Sequence, residues 1–459
     1  MSGRMPADRT RRLAADPVGP LFLRLAIPAV LGQLAVLINN VVDRMWVGHV
    51  PHDGALALGA VGISLPIHHL FLALILMLAV GVSTSVSIWL GKGDRMRAAR
   101  ISGSCFGLAV CVNVAAVAVI LTFADALLLR FGAGETSLPF ARSYLVTLAW
   151  GMPFSNTLLM LTMWLNAQGY VSESVRLNLV NVVVNLVLDP VFIFACGLGV
   201  AGAALATNLG AIAACVCGCR LVGRNPHILR FGLRDLVPRP ELFLPSVALG
   251  LSTLLNVGME SLALLYQNAA LQTYGGDLAV ASLSLFGVPL LVLMNLCLGL
   301  SHGAQPIIGY NYGAHRPDRV ADVSRRFILA CFVCSFVLWA AAMVAPRALW
   351  SCFSSDGRLI DFASAKTRLF FAVMLTGGVQ YAHIYVIKFL SFVRISLFLG
   401  VLKRLLLLLP LIFILPAVWP GDKTTAVLLA SPLSDGLAFV VTALCYLAVM
   451  RRIRRRETE

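Results

Sequence analysis

Long apolar segments recur along this chain of 459 residues, and they constrain its fold more than any other feature. A helix needs about 20 consecutive apolar residues to cross the hydrocarbon core of a membrane. Hydrophobic residues make up 59% of the sequence and charged residues 12%, with a mean hydropathy of +0.87, which excludes an ordinary soluble domain. We therefore predict an all-α polytopic membrane protein with twelve transmembrane helices. The predicted spans are residues 21–47, 56–90, 101–123, 143–165, 175–194, 200–222, 242–271, 278–312, 327–345, 369–390, 395–417 and 425–449.

Lysines and arginines are distributed unevenly between the connections of these segments. If the N-terminus lies inside, 28 of the 36 basic residues fall on the inner side, including those from Lys388 to Arg404. Inner loops carry an excess of Lys and Arg, so both termini are predicted to be cytoplasmic, in a plasma-membrane protein. The net charge of +15 then serves topology and contact with anionic membrane lipid, not nucleic acid. The eight outer basic residues are Arg44, Arg130, Arg142, Arg347, Arg358, Lys366, Arg368 and Lys423.

The two halves of the chain resemble each other when one is shifted by 222 residues (303 minus 81). Gly81 then coincides with Gly303 and Gly91 with Gly313, at matching places in a long apolar segment. Parallel repeats of this kind form two lobes related by a pseudo-two-fold axis along the membrane normal, with a substrate path between them. The predicted units are a tail at 1–20, an N-lobe of six helices at 21–222, a linker at 223–241, a C-lobe of six helices at 242–450 and a basic tail at 451–459.

The fifth segment, residues 177–194, carries polar side chains within an apolar run, LNLVNVVVNLVLDPVFIF. Asn178, Asn181, Asn185 and Asp189 recur at steps of three, four and four, which places them on one face of a helix. A carboxylate inside a membrane is costly unless it faces the bundle interior with a partner or a proton. The proline after Asp189 removes a backbone hydrogen bond beside the acid. We interpret this face as the wall of a polar cavity; the alternative is a structural stripe that holds helices together.

The first segment supplies a second acid. Gln33, Asn39, Asn40 and Asp43 lie within it, and Asn39 and Asp43 share a helix face because they are four residues apart. If Asp43 meets Asp189, desolvation and repulsion disfavour ionising both, and a proton or Na⁺ would relieve the pair. Oxygen ligands suit such an ion, so neighbouring amide and hydroxyl groups are expected to complete the site. The predicted coupling set, which is also the metal site if the ion is Na⁺, is Asp43, Asn185, Asp189 and Thr207.

The C-lobe offers fewer acids. Glu260 in segment seven is a secondary candidate acid, and Asp435 in segment twelve is open between a site residue and a structural hydrogen bond. Methionine is flexible and polarisable and therefore suits an adaptable cavity. The predicted substrate cavity comprises Gln33, Asn39, Asn40, Asn178, Asn181, Met160, Met163, Met259 and Met294.

Several motifs resemble those of the multidrug and toxic compound extrusion (MATE) family. INNVVDRMWVG is similar to the family's first-helix motif, and ALGAVGISLPI with GKGDRMRAARISG to its second helix and loop. The fifth segment and GLSHGAQPIIGYNYGA are similar to two further signatures. The pattern is closest to the prokaryotic branch of DNA-damage-inducible and staphylococcal-type drug pumps. The resemblance implies a secondary active exporter of organic, often cationic, compounds in exchange for H⁺ or Na⁺. It also implies that the N-lobe site holds the coupling ion at Asp43, Asn185, Asp189 and Thr207.

The sequence leaves two other functions open. A lipid-linked oligosaccharide flippase of the same superfamily would need a cationic, arginine-lined cavity, whereas the buried charges here are interpreted as acidic and the basic residues as cytoplasmic. A membrane enzyme acting on lipids would need a catalytic cluster on a long loop, and the sequence contains none that we recognise. We therefore predict a transporter that is not an enzyme, has no cofactor beyond the coupling ion and acts as a monomer on small organic molecules.

Overall fold

The computed structural model describes residues 9–50, 54–131, 133–134, 136–353 and 356–455, and within them the regular structure is helical. The α-helices are α1 (Arg9–Ala15), α2 (Val18–Gly48), α3 (Gly54–Gly91), α4 (Arg95–Arg130), α5 (Leu138–Ala167), α6 (Val171–Pro190), α7 (Gly199–Arg224), α8 (Pro240–Gly313), α9 (Pro317–Val344), α10 (Pro346–Ser351), α11 (Gly357–Phe370), α12 (Met374–Phe389), α13 (Val393–Val401), α14 (Leu409–Val418) and α15 (Lys423–Arg455). Helices α2–α7 form the N-lobe, and α8–α15 form the C-lobe.

Helix α8 is two membrane spans joined at a sharp reversal. Its 74 residues would extend about 110 Å as one straight helix, far more than a bilayer needs. Gly276 breaks it with φ +63° and ψ −162°, a conformation open to glycine because it has no Cβ. The two arms, 240–275 and 277–313, both return to the same end of α3, where Gly81 approaches Ser246 and Gly91 approaches Tyr310. With these arms counted separately, and with the bent pair α11 and α12 counted as one span, the described residues contain the twelve predicted spans.

The lobes meet through pairs of contacts that repeat across the pseudo-two-fold axis. A Cβ built on Gly91 would lie 2.0 Å from the carbonyl oxygen of Tyr310, and one on Gly313 would lie 2.0 Å from that of Ile88. The shift of 222 residues that relates Gly91 to Gly313 also relates Ile88 to Tyr310. Each contact is therefore the image of the other. The internal repeat in the sequence corresponds to a two-lobed structure whose halves touch backbone to backbone.

This interface closes one end of the bundle, the end at which the first and last described helices, α1 and α15, begin and end the described chain. Helix α1 lies against the C-lobe there, where Arg316 donates to the carbonyl of Ala14 (2.8 Å) and Arg319 to that of Asp16 (2.6 Å). Toward the other end the same helix faces are uncovered. Val41 on α2 is 54% exposed and Leu70 on α3 is 60% exposed. The lobes therefore form a cleft that opens away from the termini.

Three predicted features of the C-lobe need correction. Segment ten is not one straight helix, because α11 and α12 meet at 57°. Lys403 and Arg404 do not lie in a cytoplasmic connection: they belong to a π-helical turn, Leu402–Leu408, inside the span Val393–Val418. Lys388 is buried at the end of α12, 3% exposed, with its Nζ 3.0 Å from Thr253 Oγ1. Polar partners on other helices hold these cations inside the lobe, and a charge count along the sequence does not detect such partners.

Replacing Gly81 by alanine should lower the Tm of the purified protein, measured by tryptophan fluorescence in detergent. A Cβ at Gly81 would lie 1.9 Å from the carbonyl oxygen of Ser246, across the lobe interface. Overpacking of this kind typically costs about 1–3 kcal/mol. Gly59→Ala is the matched control, since Gly59 lies on the same helix and its Cβ would meet no atom within 4 Å. Equal Tm values for the two variants would contradict a tight interface at Gly81.

Candidate functional site

Helices α2, α6 and α7 bring a cluster of polar side chains together inside the N-lobe. Asn39 Nδ2 lies 3.1 Å from Asp43 Oδ2 and 2.8 Å from Asn185 Oδ1. Asn185 Nδ2 lies 3.1 Å from Asp189 Oδ1 and 3.4 Å from Thr207 Oγ1. These five residues form the acid cluster. It contains all four residues of the predicted coupling set together with Asn39, which was predicted as a cavity residue.

Local sequence explains how the three helices come so close. Gly210 on α7 faces α6, where a Cβ would lie 2.7 Å from the backbone and side-chain oxygens of Asn181. Pro190 cannot donate a backbone hydrogen bond, and the helix continues after it as a π-helical turn, Val191–Ala195. Single π turns inside helices are frequent at functional sites. The glycine brings α7 against the polar face of α6, and the π turn follows directly after Asp189.

The acid cluster is buried at its α6 residues and contains more acceptors than donors. Asp189 is 0% exposed and Asn185 2%. The Asp43 and Asp189 carboxyl groups lie within hydrogen-bonding reach of each other. Within the described part of the chain, four of the buried oxygens here have no hydrogen-bond partner: Asn39 Oδ1, Asp43 Oδ1, Asn181 Oδ1 and Asp189 Oδ2. Buried acceptors without donors are unfavourable, and two adjacent carboxylates repel, so a proton or small cation would stabilise this arrangement.

Apolar side chains close the site on the side away from the lobe interface. Trp46 and Phe194 form an edge-to-face pair with ring centroids 5.9 Å apart. Val47 and Ile193 are buried beside them, and Tyr144 of α5 packs against the same cluster. Sequence reasoning missed Tyr144, since a single tyrosine in an apolar segment has no periodic pattern that distinguishes it. This apolar packing lowers the polarity beside the carboxyl groups and so strengthens the electrostatic interactions between them.

The remaining predicted polar residues are dispersed. Asn178 and Asn181 are half-buried on α6, below the acid cluster, and Asn40 is exposed on α2. Gln33 contacts the other lobe instead, with its Nε2 3.5 Å from His302 Nδ1 on α8. Gln33 therefore belongs to the closed interface between the lobes.

Two of the four methionines that were predicted to line the substrate cavity are instead buried in a hydrophobic core. Met160 is 0% exposed and Met163 8%, and both lie in the N-lobe hydrophobic core. They occupy the side of α5 that packs on α3 and α4, and periodicity alone could not separate a packed face from a cavity face. Met259 is half-buried and Met294 is exposed, so these two remain candidates.

The predicted acids of the C-lobe form ion pairs with Lys403 and Arg404, the two cations that lie inside the span. Glu260 Oε1 lies 2.8 Å from an Arg404 guanidinium nitrogen, and Asp435 Oδ1 lies 2.7 Å from Lys403 Nζ. The expectation that charges inside the membrane are acidic and that basic residues are confined to the cytoplasmic ends is therefore wrong for this lobe. The N-lobe holds two carboxyl groups in contact, whereas the C-lobe holds two ion pairs.

Replacing Asn185 by leucine should lower the Tm more than Thr207→Val does. Leucine keeps the number and branching of the side-chain heavy atoms but removes the hydrogen bonds to Asn39 and Asp189, which leaves more buried polar atoms without partners. Leaving a buried polar group unsatisfied costs about 1–3 kcal/mol. Thr207→Val loses a long 3.4 Å contact and a bond to its own helix at Ala203. A Tm for Asn185→Leu at or above that of Thr207→Val would contradict the bridging role of Asn185.

Comparisons with known proteins agree with this architecture. Multidrug export protein MepA of Staphylococcus aureus (strain NCTC 8325 / PS 47) is 24% identical over 416 residues, which cover 88% of each chain. A structure described as MATE in the bent conformation superposes with a TM-score of 0.90 at 20% identity, covering 99% of this chain and 100% of the other. An outward-facing multidrug resistance MATE family transporter of the MOP superfamily gives 0.89 at 20% identity, with 98% and 100% covered.

The MatE family model matches residues 28–191 and 253–414, one segment in each lobe. The predicted twelve-helix, two-lobed fold is confirmed by the structural matches. The resemblance found in the sequence motifs is confirmed as well, and the chain belongs to the MatE family of transporters.

Proposed function

We propose that this protein exports organic compounds that carry a positive charge and exchanges them for a cation bound at the acid cluster. The observation that carries the proposal is the contact between Asp43 and Asp189, surrounded by buried oxygens without partners. A site of this kind binds a cation because the cation removes a repulsion that the protein alone leaves in place. Export of several drugs is the function named for the staphylococcal MepA relatives.

The arrangement favours a proton as the coupling ion. The amide nitrogens of Asn39 and Asn185 point at the two carboxyl groups, so each amide acts as a donor there. A Na⁺ cage would instead need amide oxygens turned toward the ion. One proton shared by the two carboxyl groups would satisfy an acceptor oxygen and reduce the repulsion without moving either amide. Na⁺ is the second candidate, since hard cations also prefer oxygen ligands.

The difference between the two ends of the molecule supports alternating access as the mechanism. The glycine contacts close the end with the termini, while the cleft opens at the other end. Ion and substrate can be exchanged only if each stabilises a different state of the same two-state protein. The basic loops favour a cytoplasmic position for the closed end and for both termini. The open cleft would then face outward across the plasma membrane, in a protein that works as a monomer among membrane lipids.

A lipid-linked oligosaccharide flippase is less well supported. Holding a pyrophosphate requires a site with a clear excess of positive charge, whereas Lys403 and Arg404 are matched one for one by Asp435 and Glu260. The N-lobe wall presents acids, which would repel such a substrate.

Asp43→Asn and Asp189→Asn should each abolish gradient-driven export from proteoliposomes while leaving expression unchanged. Asparagine has nearly the shape of a protonated carboxyl group but cannot release a proton. Asp322→Asn is the matched control, because Asp322 is half-exposed, lies outside the acid cluster and forms an ion pair with Arg326 on the same helix (2.9 Å). Normal coupled export from both cluster variants would contradict the N-lobe coupling site.

Efflux of a cationic dye should follow a pH gradient imposed without a Na⁺ gradient. We expect the opposite experiment, with Na⁺ alone, to give no more than the leak rate. Export driven by Na⁺ alone would replace the proton proposal with a metal-ion site at the same residues. If neither gradient drives efflux of several dyes, the export function itself is wrong.

A further inference from the structure

Three helices of the C-lobe place charged side chains inside the membrane. Arg404 pairs with Glu260 on α8, and Lys403 pairs with Asp435 on α15, at 2.8 Å and 2.7 Å. Lys403 lies about 15 Å along the span from its first residue, Val393, at 1.5 Å per residue, which is near the middle of a hydrocarbon core about 30 Å thick. Four ionisable groups at this depth are costly, and charges at such positions generally mark a functional pathway. We call these four residues the paired cluster.

The π-helical turn Leu402–Leu408 explains how two adjacent cations reach opposite neighbours. On one side Arg404 contacts α8, and on the other Lys403 contacts α15. Gly400, one turn earlier, lets the helix approach α8 closely, since a Cβ there would lie 3.0 Å from Asn256 Nδ2. The turn is therefore held in place by packing, and it presents both cations at fixed positions.

The paired cluster lies on the helices that are the pseudo-symmetric counterparts of those that carry the acid cluster. The acid cluster draws on the first, fifth and sixth spans of its lobe, and the paired cluster draws on the first, fifth and sixth spans of the other. The interface contact of Gly81 with Ser246 is the image of that of Gly303 with Ala26. The glycines are related by a shift of 222 and their partners by 220 (246 minus 26), and the second shift places Glu260 on Asn40, next to Asn39 of the acid cluster. The two lobes therefore present different charges from equivalent helices.

The paired cluster is accessible, and Arg404 has N–H donors that its ion pair with Glu260 does not use. Glu260 is 43% exposed and Arg404 26%, so neither is enclosed by the lobe. A Cβ on Gly258, close to Glu260 on α8, would meet no atom within 4 Å. Arg404 offers five N–H donors, and its one ion pair in the described residues uses a single nitrogen. An incoming carboxylate can therefore bind the guanidinium beside Glu260 or in its place.

We propose that Arg404 and Lys403 form an anion subsite in the cleft, which takes the carboxylate of zwitterionic substrates whose cationic group is held on the N-lobe side. The inference rests on the proposed export function, because it assigns a second recognition element to the same cleft. Glu260 and Asp435 keep the cations neutralised while the subsite is empty, and a substrate carboxylate competes with them. A substrate with only a positive charge gains nothing from this subsite.

The test compares a rhodamine dye that has a free carboxylate with its methyl ester, which lacks only the negative charge. Binding of each dye to the purified protein in detergent is measured by fluorescence anisotropy, which requires no ion gradient. In Arg404→Gln/Glu260→Gln, which removes both partners of one pair together, we expect the Kd of the carboxylate dye to rise about tenfold, as the loss of one charge-assisted hydrogen bond predicts. The Kd of the ester should stay unchanged, and this also shows that the variant is folded.

Two further variants separate recognition of the carboxylate from general effects on dye binding. Arg404→Lys keeps the positive charge and should restore part of the affinity for the carboxylate dye. Lys366→Gln breaks an ion pair with Asp422 at the outer end, at 2.8 Å, and should alter neither dye's Kd. If the ratio of the two dyes' Kd values is unchanged in the double variant, either because neither affinity falls or because both fall equally, the anion subsite is overturned. Export of the ester by the wild-type protein is scored separately, so a failure of the export function is distinguishable from a failure of the subsite.

Discussion

The contact between two carboxyl groups inside the N-lobe is the interaction on which the rest of the structure depends. Asp189 is fully buried, and its side chain and that of Asp43 lie within hydrogen-bonding reach. Hydrocarbon does not solvate charge, so polar groups on the surrounding helices must solvate the two carboxyl groups. Asn39 and Asn185 do so with amide donors, and Trp46 and Phe194 pack against each other beside the site. The site is nevertheless incomplete, since it retains acceptors that only a proton or cation would satisfy.

The interface between the lobes, with its close backbone contacts at glycines, is the part of the structure that responds to the charge of the acid cluster. Backbone contacts such as Gly91 with Tyr310 and Gly313 with Ile88 are related by the internal repeat. Because close backbone packing tolerates little distortion, the interface is either formed or separated, and intermediate positions are poorly packed. A small change in charge within the N-lobe then acts on a bistable arrangement of two lobes. The described state is closed at the end with the termini and open at the other.

The two lobes share a fold but have different internal chemistry. The N-lobe uses carboxyl groups and amides, while the C-lobe uses ion pairs between Glu260 and Arg404 and between Asp435 and Lys403. Both lobes contain a π-helical turn in their fifth span, at Val191–Ala195 and at Leu402–Leu408. In the first case the turn follows an acid, and in the second it carries two cations. A cleft with one acidic wall and one wall of paired charges suits substrates that carry more than one kind of charge.

The sequence by itself determined the twelve spans, the two-fold repeat and the acid cluster. Each of these rests on periodicity or length: an apolar run long enough to span, a constant shift between halves, or polar residues at helical spacing such as Asn185 and Asp189. Only the tertiary structure decided which charges are paired. Lys403 and Arg404 are next to a cytoplasmic stretch in the sequence, and their partners lie on other helices far along the chain. The same holds for Met160 and Met163, whose burial depends on which face of α5 the neighbouring helices cover. Contacts between distant segments leave no local pattern, so packing alone could place these side chains.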